Sequence, residues 1–155
     1  MVSIRKPTVT YALLSVNIAV FLLMTVLGGS QEVSLLVAFG AKVNNLILAG
    51  QWWRLFTPMF LHIGLEHLVL NMVALYFSGS QLEMILGHFR FLCVYFISGF
   101  MGNLASFAFN PDALSAGAST ALFGLFGVFL MMGESFGNNP YIRMMAKQFL
   151  LLVVL

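Results

Sequence analysis

The sequence predicts an all-α polytopic membrane protein, and three observations lead there. Of 155 residues, 61% are hydrophobic and only 8% are charged, with a mean hydropathy of +0.98. A soluble domain is about 45–50% apolar and about 25% charged, and a small globule in water could not clothe its surface with so few charges. The apolar residues fall in runs close to the ~20 residues a helix needs to cross a bilayer. Clusters of Gly, Asn and Pro separate these runs, as breaks between helices should. The same composition excludes a disordered chain, which needs low hydrophobicity and high charge. The length leaves room for about five spans plus loops.

The first apolar run, about Thr10 to Gly28, is uncharged and is ended by Gly28-Gly29-Ser30; it reads as a span. Residues 1–9, with Arg5-Lys6-Pro7, read as a cytoplasmic N-terminus. A following run of full span length and no small-x-small site argue against a cleavable signal. Residues 29–60 differ. Glu32, Gly40, Lys42, Gly50, Arg54 and Pro58 interrupt them too often for a span, yet Val33 to Phe39 and Leu46 to Ala49 are apolar. Short amphipathic helices in the headgroup zone, anchored by Trp52 and Trp53, fit that pattern. Further spans are expected from Leu61 to Gln81, from Phe89 to Phe109 before Asn110-Pro111, and from Ser115 to Met132 before the 137–140 turn. Residues 10–155 then form one transmembrane domain.

A fifth span starts near Tyr141 and is incomplete as written. After Lys147 come eight residues, the last seven of them apolar. Seven helical residues rise only about 10 Å, against a hydrocarbon core of ~30 Å. The expectation is a fragment of a longer protein. With the N-terminus in the cytoplasm, the inner side holds Arg5, Lys6, Arg90, Arg143 and Lys147, and the outer side holds Lys42 and Arg54. Five against two obeys the positive-inside rule, and it turns the 29–60 segment and the starts of spans 2 and 4 outward.

The net charge of +2 is scattered and makes no nucleic-acid footprint. The single cysteine, Cys93, excludes an internal disulfide and any multi-cysteine metal site; it sits in an apolar run and reads as a packing residue. No cofactor or metal is expected. No His-Glu-x-x-His occurs, and Glu66-His67 after His62 has the wrong helical phase for shared ligation.

Polar side chains inside spans need a reason. On span 2, His67, Asn71, Ala74 and Ser78 fall on one helical face. Such a stripe faces another helix, where its hydrogen bonds glue the pair, or it lines a water-filled cavity. On span 4, Gly117, Ala121, Gly124 and Val128 form a small face that admits a close backbone. Ser119 stands near the outer end of that helix, where backbone amides lack intrahelical acceptors and the dipole is positive. A serine there either caps and packs, or attacks a carbonyl and holds the oxyanion. If His67 and Asn71 lie at the depth of Ser119, three donors surround one oxygen.

The run Gln51-Trp52-Trp53-Arg54-Leu55-Phe56-Thr57-Pro58, then His62, then His67 to Asn71, then Gly117-Ala118-Ser119, resembles the rhomboid intramembrane serine proteases from about Trp52 onward. The resemblance implies a six-helix bundle, five of whose helices are in this chain. It implies that Ser119 is the nucleophile of a Ser–His dyad, with His67 and Asn71 as oxyanion donors beside the Ser119 amide. Gly117 belongs to the same motif. His62 matches a positioning residue, Trp53 and Arg54 a pair that folds the first loop, and Glu83 a structural acid at the inner end of span 2. Phe123 takes the place of an aromatic ring, often tyrosine, that packs on the catalytic histidine. That histidine belongs to a sixth span, and none of His62, His67 and His88 replaces it convincingly. The resemblance thus implies a parent enzyme that cleaves transmembrane protein substrates in the lipid bilayer, and an expectation of no activity in this chain alone, because a serine without a base is a poor nucleophile. A compact form of this kind suits a bacterial cytoplasmic membrane. The alternative within the family is a non-catalytic relative that binds transmembrane clients, against which the trio Ser119, His67 and Asn71 argues. A small transporter would need ion-coordinating residues at mid-membrane, and the spans hold almost none.

Overall fold

The computed structural model describes residues 6–136 and 138–154, with side chains from Lys6 to Gln148 except at 137. Arg5 and the terminal Leu155, both used in the sequence argument, lie outside the described residues. The elements are α1 (Thr8–Leu27), α2 (Val33–Ala38), α3 (Asn44–Leu48), two 3₁₀ turns (Trp52–Leu55 and Thr57–Phe60), α4 (Gly64–Leu86), α5 (His88–Phe109), α6 (Ser119–Ser135) and α7 (Pro140–Val154). Among the described residues there is no strand; an isolated antiparallel bridge joins Lys42 to Ser115.

The apolar runs become the long helices, with shifted ends. α4 starts at Gly64 rather than Leu61, because residues 57–60 are spent on a 3₁₀ turn and Ile63 is extended at the N-cap. It continues past Gln81 to Leu86, since the one charge in that stretch, Glu83, is fully buried and bonded. α6 starts at Ser119 rather than Ser115. α1, α4 and α5 have 20, 23 and 22 residues and are long and apolar enough to cross a membrane; α6, with 17, is apolar but shorter. The chain is an integral membrane protein.

α4, α5 and α6 meet in one core around Leu75, Leu82, Phe91, Tyr95, Ala121 and Leu125, all fully buried. α1 packs on α4 and α7 on α6. α5 and α6 approach most closely where their side chains are smallest: Gly124 faces Ser98, Gly99 faces Ala121 and Met59, and Gly102 faces Thr120. The small face expected on α6 does bring in a neighbour, and α5 answers it with small residues of its own. Large apolar side chains such as Leu22, Val26, Phe89 and Ile97 point outward, as lipid-facing surface must.

Residues 29–60 fold as a unit against the end of the bundle where α4 and α6 begin. Arg54 is buried, and its guanidinium donates to Gln51 Oε1 (2.6 Å), Val37 O (2.8 Å) and Ala41 O (2.9 Å). It thereby ties the last turn of α2, at Val37, to the Ala41 carbonyl that follows the helix. Desolvation lowers its pKa from the usual arginine value. Trp52 and Trp53 are exposed, free to lie among headgroups.

Candidate active site

The α6 N-terminus is built by the segment before it. Ser115 pairs with Lys42 in both directions (Lys42 N–H to Ser115 O 3.0 Å; Ser115 N–H to Lys42 O 3.2 Å), and Gly117 donates its N–H to Pro58 O at 2.8 Å. Ala118 is the N-cap, so Ser119 is the first helical residue. Its amide falls among those that no carbonyl of its own helix can accept from.

Gly117 decides what surrounds that serine. Its φ is +135°, where a side chain is strained. A Cβ on it would lie 2.7 Å from His67 Cε1, 2.8 Å from His67 Nε2 and 3.5 Å from Ser119 Oγ. One small volume, kept empty by a glycine, is thus bordered by the imidazole edge and by the hydroxyl. The two residues are 52 positions apart in sequence and belong to different helices.

The imidazole has a defined role for its nitrogens. Ile63 N–H donates to His67 Nδ1 at 3.4 Å. With Nδ1 an acceptor, the ring proton sits on Nε2, on the side facing Gly117. His67 is therefore set up to donate there rather than to take a proton. Asn71 is buried one turn below, and its Nδ2 donates to His67 O at 2.8 Å. The Ser78 hydroxyl likewise donates to Ala74 O at 2.6 Å. The polar stripe on α4 closes its observed bonds within its own helix, and they are not interhelical glue. Asn71 keeps its second amide hydrogen and a buried Oδ1 without a partner.

A pocket of about 310 Å³ is lined by Ile63, Asn103, Ser106, Ser115, Gly117 and Ser119, among others. The Ser106 and Ser115 hydroxyls are 3.0 Å apart. The volume holds several waters, and the polar lining gives them partners.

The Rhomboid domain family model matches residues 49–155. The chain belongs to the rhomboid family. Similar proteins are Rhomboid protease GluP of Bacillus subtilis (strain 168), 42% identical over 150 residues, covering 97% of this chain and 29% of that protein, and Putative rhomboid protease YdcA of the same strain, 48% identical over 90 residues, covering 57% and 45%. Rhomboid-like protease 3 of Toxoplasma gondii is 41% identical over 113 residues, covering 72% and 43%. The chain spans less than half the length of each.

The other positions that the rhomboid resemblance singled out are scattered. His62 is fully buried between the second 3₁₀ turn and α4, its ring edge-on to His67 at 5.3 Å, with both ring nitrogens unpartnered. Desolvation, and secondarily His67, push its pKa down to about 4. Phe123, one turn below Ser119, is exposed and touches Phe126. Glu83 lies at the opposite end of α4, where it accepts from the amides of Val9 (2.8 Å) and Thr10 (2.7 Å), from the Thr10 hydroxyl (2.7 Å), and meets His88. Asn103, buried in α5 with Nδ2 donating to Leu55 O at 3.0 Å, and Lys42 are two structural contributors that sequence reading did not select. The polar positions inside span 3 were the available signal for the first.

Proposed function

We propose that this chain carries the nucleophile and oxyanion site of an intramembrane serine protease, which hydrolyses a peptide bond in or near the transmembrane segment of a membrane protein. The observation that carries the proposal is the convergence of His67 Nε2 and Ser119 Oγ on the space above Gly117. Ser119 Oγ attacks the scissile carbonyl. The oxygen that becomes negative is held by the Ser119 N–H and His67 Nε2–H, with Asn71 able to turn its remaining N–H toward it. Each such donor is worth about 10²-fold or more in rate. The hydroxyl proton passes to a base, then to the leaving amine, and water releases the acyl group. Water reaches the site through the pocket beside Ser119.

The base is a histidine outside residues 1–155. His67 Nδ1 is occupied by Ile63 N–H and its Nε2 carries the proton. His88 sits beside Glu83, sixteen residues along α4 from His67, about 24 Å away. His62 is enclosed. In names, relatives such as Rhomboid protease GluP and Rhomboid-like protease 3 support a protease. With the N-terminus cytoplasmic, α6 starts at the outer side. Its 17 residues rise about 26 Å, short of the ~30 Å core, which supports a position for Ser119 below the outer boundary. The Bacillus relatives and the basic-residue bias support a bacterial cytoplasmic membrane.

The test is Ser119→Ala in the full-length gene product, read on a reporter with a transmembrane segment and by labelling with a fluorophosphonate. Cleavage and labelling should both vanish while the protein still accumulates. Cleavage near the wild-type rate removes Ser119 as the nucleophile.

A further inference from the structure

The Lys42 side chain is fully buried, on a loop whose other cation, Arg54, serves α2. Its ammonium has three hydrogens, and all three are used: Nζ donates to Ser106 O (3.1 Å), Asn110 O (2.7 Å) and Ala113 O (3.0 Å). Ser106 and Asn110, whose carbonyls also accept the Asn110 and Ala113 N–H groups, belong to the last turn and C-cap of α5, where the dipole favours a cation. Ala113 does not; it lies on the segment leading to Ser119. The Lys42 backbone then pairs with Ser115 in both directions. One residue therefore grips a helix end with its side chain and the run into the serine with both side chain and backbone.

A simple cap would not need this arrangement. Asn44 Nδ2 already donates to Phe107 O of the same helix end at 2.7 Å, and it makes no bond to residues 113–117 among those described. Burying an ammonium is costly unless every hydrogen finds an acceptor, and here the third acceptor is Ala113 O.

We propose that Lys42 is a positioning residue for the Ser119 segment: it fixes residues 113–117 to the end of α5, so that Gly117 and the Ser119 amide stay in register with His67. This rests on the reading of Ser119 as nucleophile. Lys42 touches no reacting atom and acts through Ser115 and Gly117.

The experiment compares Lys42→Met with Asn44→Ala in the full-length gene product, measuring kcat and KM on a transmembrane reporter, fluorophosphonate labelling of Ser119, and amide hydrogen exchange. Lys42→Met should lower kcat by about tenfold or more, the scale of a misplaced reacting group, while KM changes by less than about threefold. Exchange across 113–117 should quicken by about tenfold with the middle of α5 unchanged. Asn44→Ala, which removes a cap alone, should lower the unfolding midpoint and keep kcat within about threefold. A Lys42→Met enzyme with wild-type kcat overturns the proposal, as does an equal kcat loss in Asn44→Ala, which would make Lys42 a mere cap. If Lys42→Met does not accumulate, Ser115→Pro removes the N–H given to Lys42 O, together with the hydroxyl that meets Ser106 Oγ, and fixes φ; it should show the same kcat loss, and wild-type kcat in it overturns the proposal. A wild-type protein that neither cleaves nor labels sinks the protease reading instead, and exchange across 113–117 then still decides whether Lys42 holds that segment.

Discussion

The two ends of the bundle each bury a charge against the terminus of a long helix, with opposite signs. At the end where α6 begins, outer on the proposed orientation, the Lys42 ammonium sits on the carbonyls that close α5. At the inner end the Glu83 carboxylate sits on the amides that open α1. Both obey the same rule: a cation belongs at a C-terminus and an anion at an N-terminus. They differ in what else they hold. Glu83 ties α4 to α1 and to His88, all scaffold. Lys42 reaches past the helix to Ala113 and Ser115, four residues short of Ser119. The same electrostatic device therefore stabilises at one end and also aims at the other. Damage at the inner end should cost folding, and damage at the outer end should cost rate.

The largest effect expected from that contrast is at Gly117. Gly117→Ala puts a methyl within van der Waals overlap of the His67 ring, at a φ that costs about 1–3 kcal/mol for a side chain. Displacing the imidazole should lower kcat by about a hundredfold or more, with helix content by circular dichroism unchanged. Wild-type turnover in this variant would show that His67 and Ser119 do not share the reacting volume.

The inner end should answer in the other currency. Glu83→Gln replaces one carboxylate oxygen by an NH₂ that faces donors, either the Val9 amide or the Thr10 amide and hydroxyl. Leaving such buried donors unsatisfied should cost about 2–4 kcal/mol of stability, measured by unfolding in detergent. Turnover per folded molecule should stay near wild type. A loss of kcat matching that of the outer-end variants would erase the distinction between the two ends.

Much of this was legible in the sequence, and the unread part has a physical pattern. Runs of apolar residues gave the long helices, because hydrophobic length is a local property. The pair His67 and Asn71 and the motif Gly117-Ala118-Ser119 marked the candidate site, because polar groups in a span stand out. Lys42 did not stand out: it read as one more outer charge, since its acceptors are 64 to 71 residues away and leave no periodic trace. The span expected from Ser115 takes in residues 115–117 for the same reason, as their partners Lys42 and Pro58 are distant. The true start of α6 depends on those bonds, and so does the free amide of Ser119.

The effect confined to acid pH, and absent at neutral pH, is carried by His62. The ring is enclosed, both nitrogens lack partners, and His67 lies beside it, so its pKa falls from 6.5 to about 4. Between those values the unfolded chain binds a proton that the folded chain refuses. Stability therefore rises with pH through that window and is lost as pH falls from 6.5 toward 4, at about 1.4 kcal/mol per unit and on the order of 3 kcal/mol in all. Above pH 7 His62 contributes no slope, because the ring is neutral in both states. Unfolding curves in detergent between pH 4 and pH 7 should show the slope in the wild type, and His62→Gln should flatten it. Equal slopes in the two proteins would mean that the ring is hydrated in the fold and that the outer end is looser around His67 than the packing of these two histidines implies.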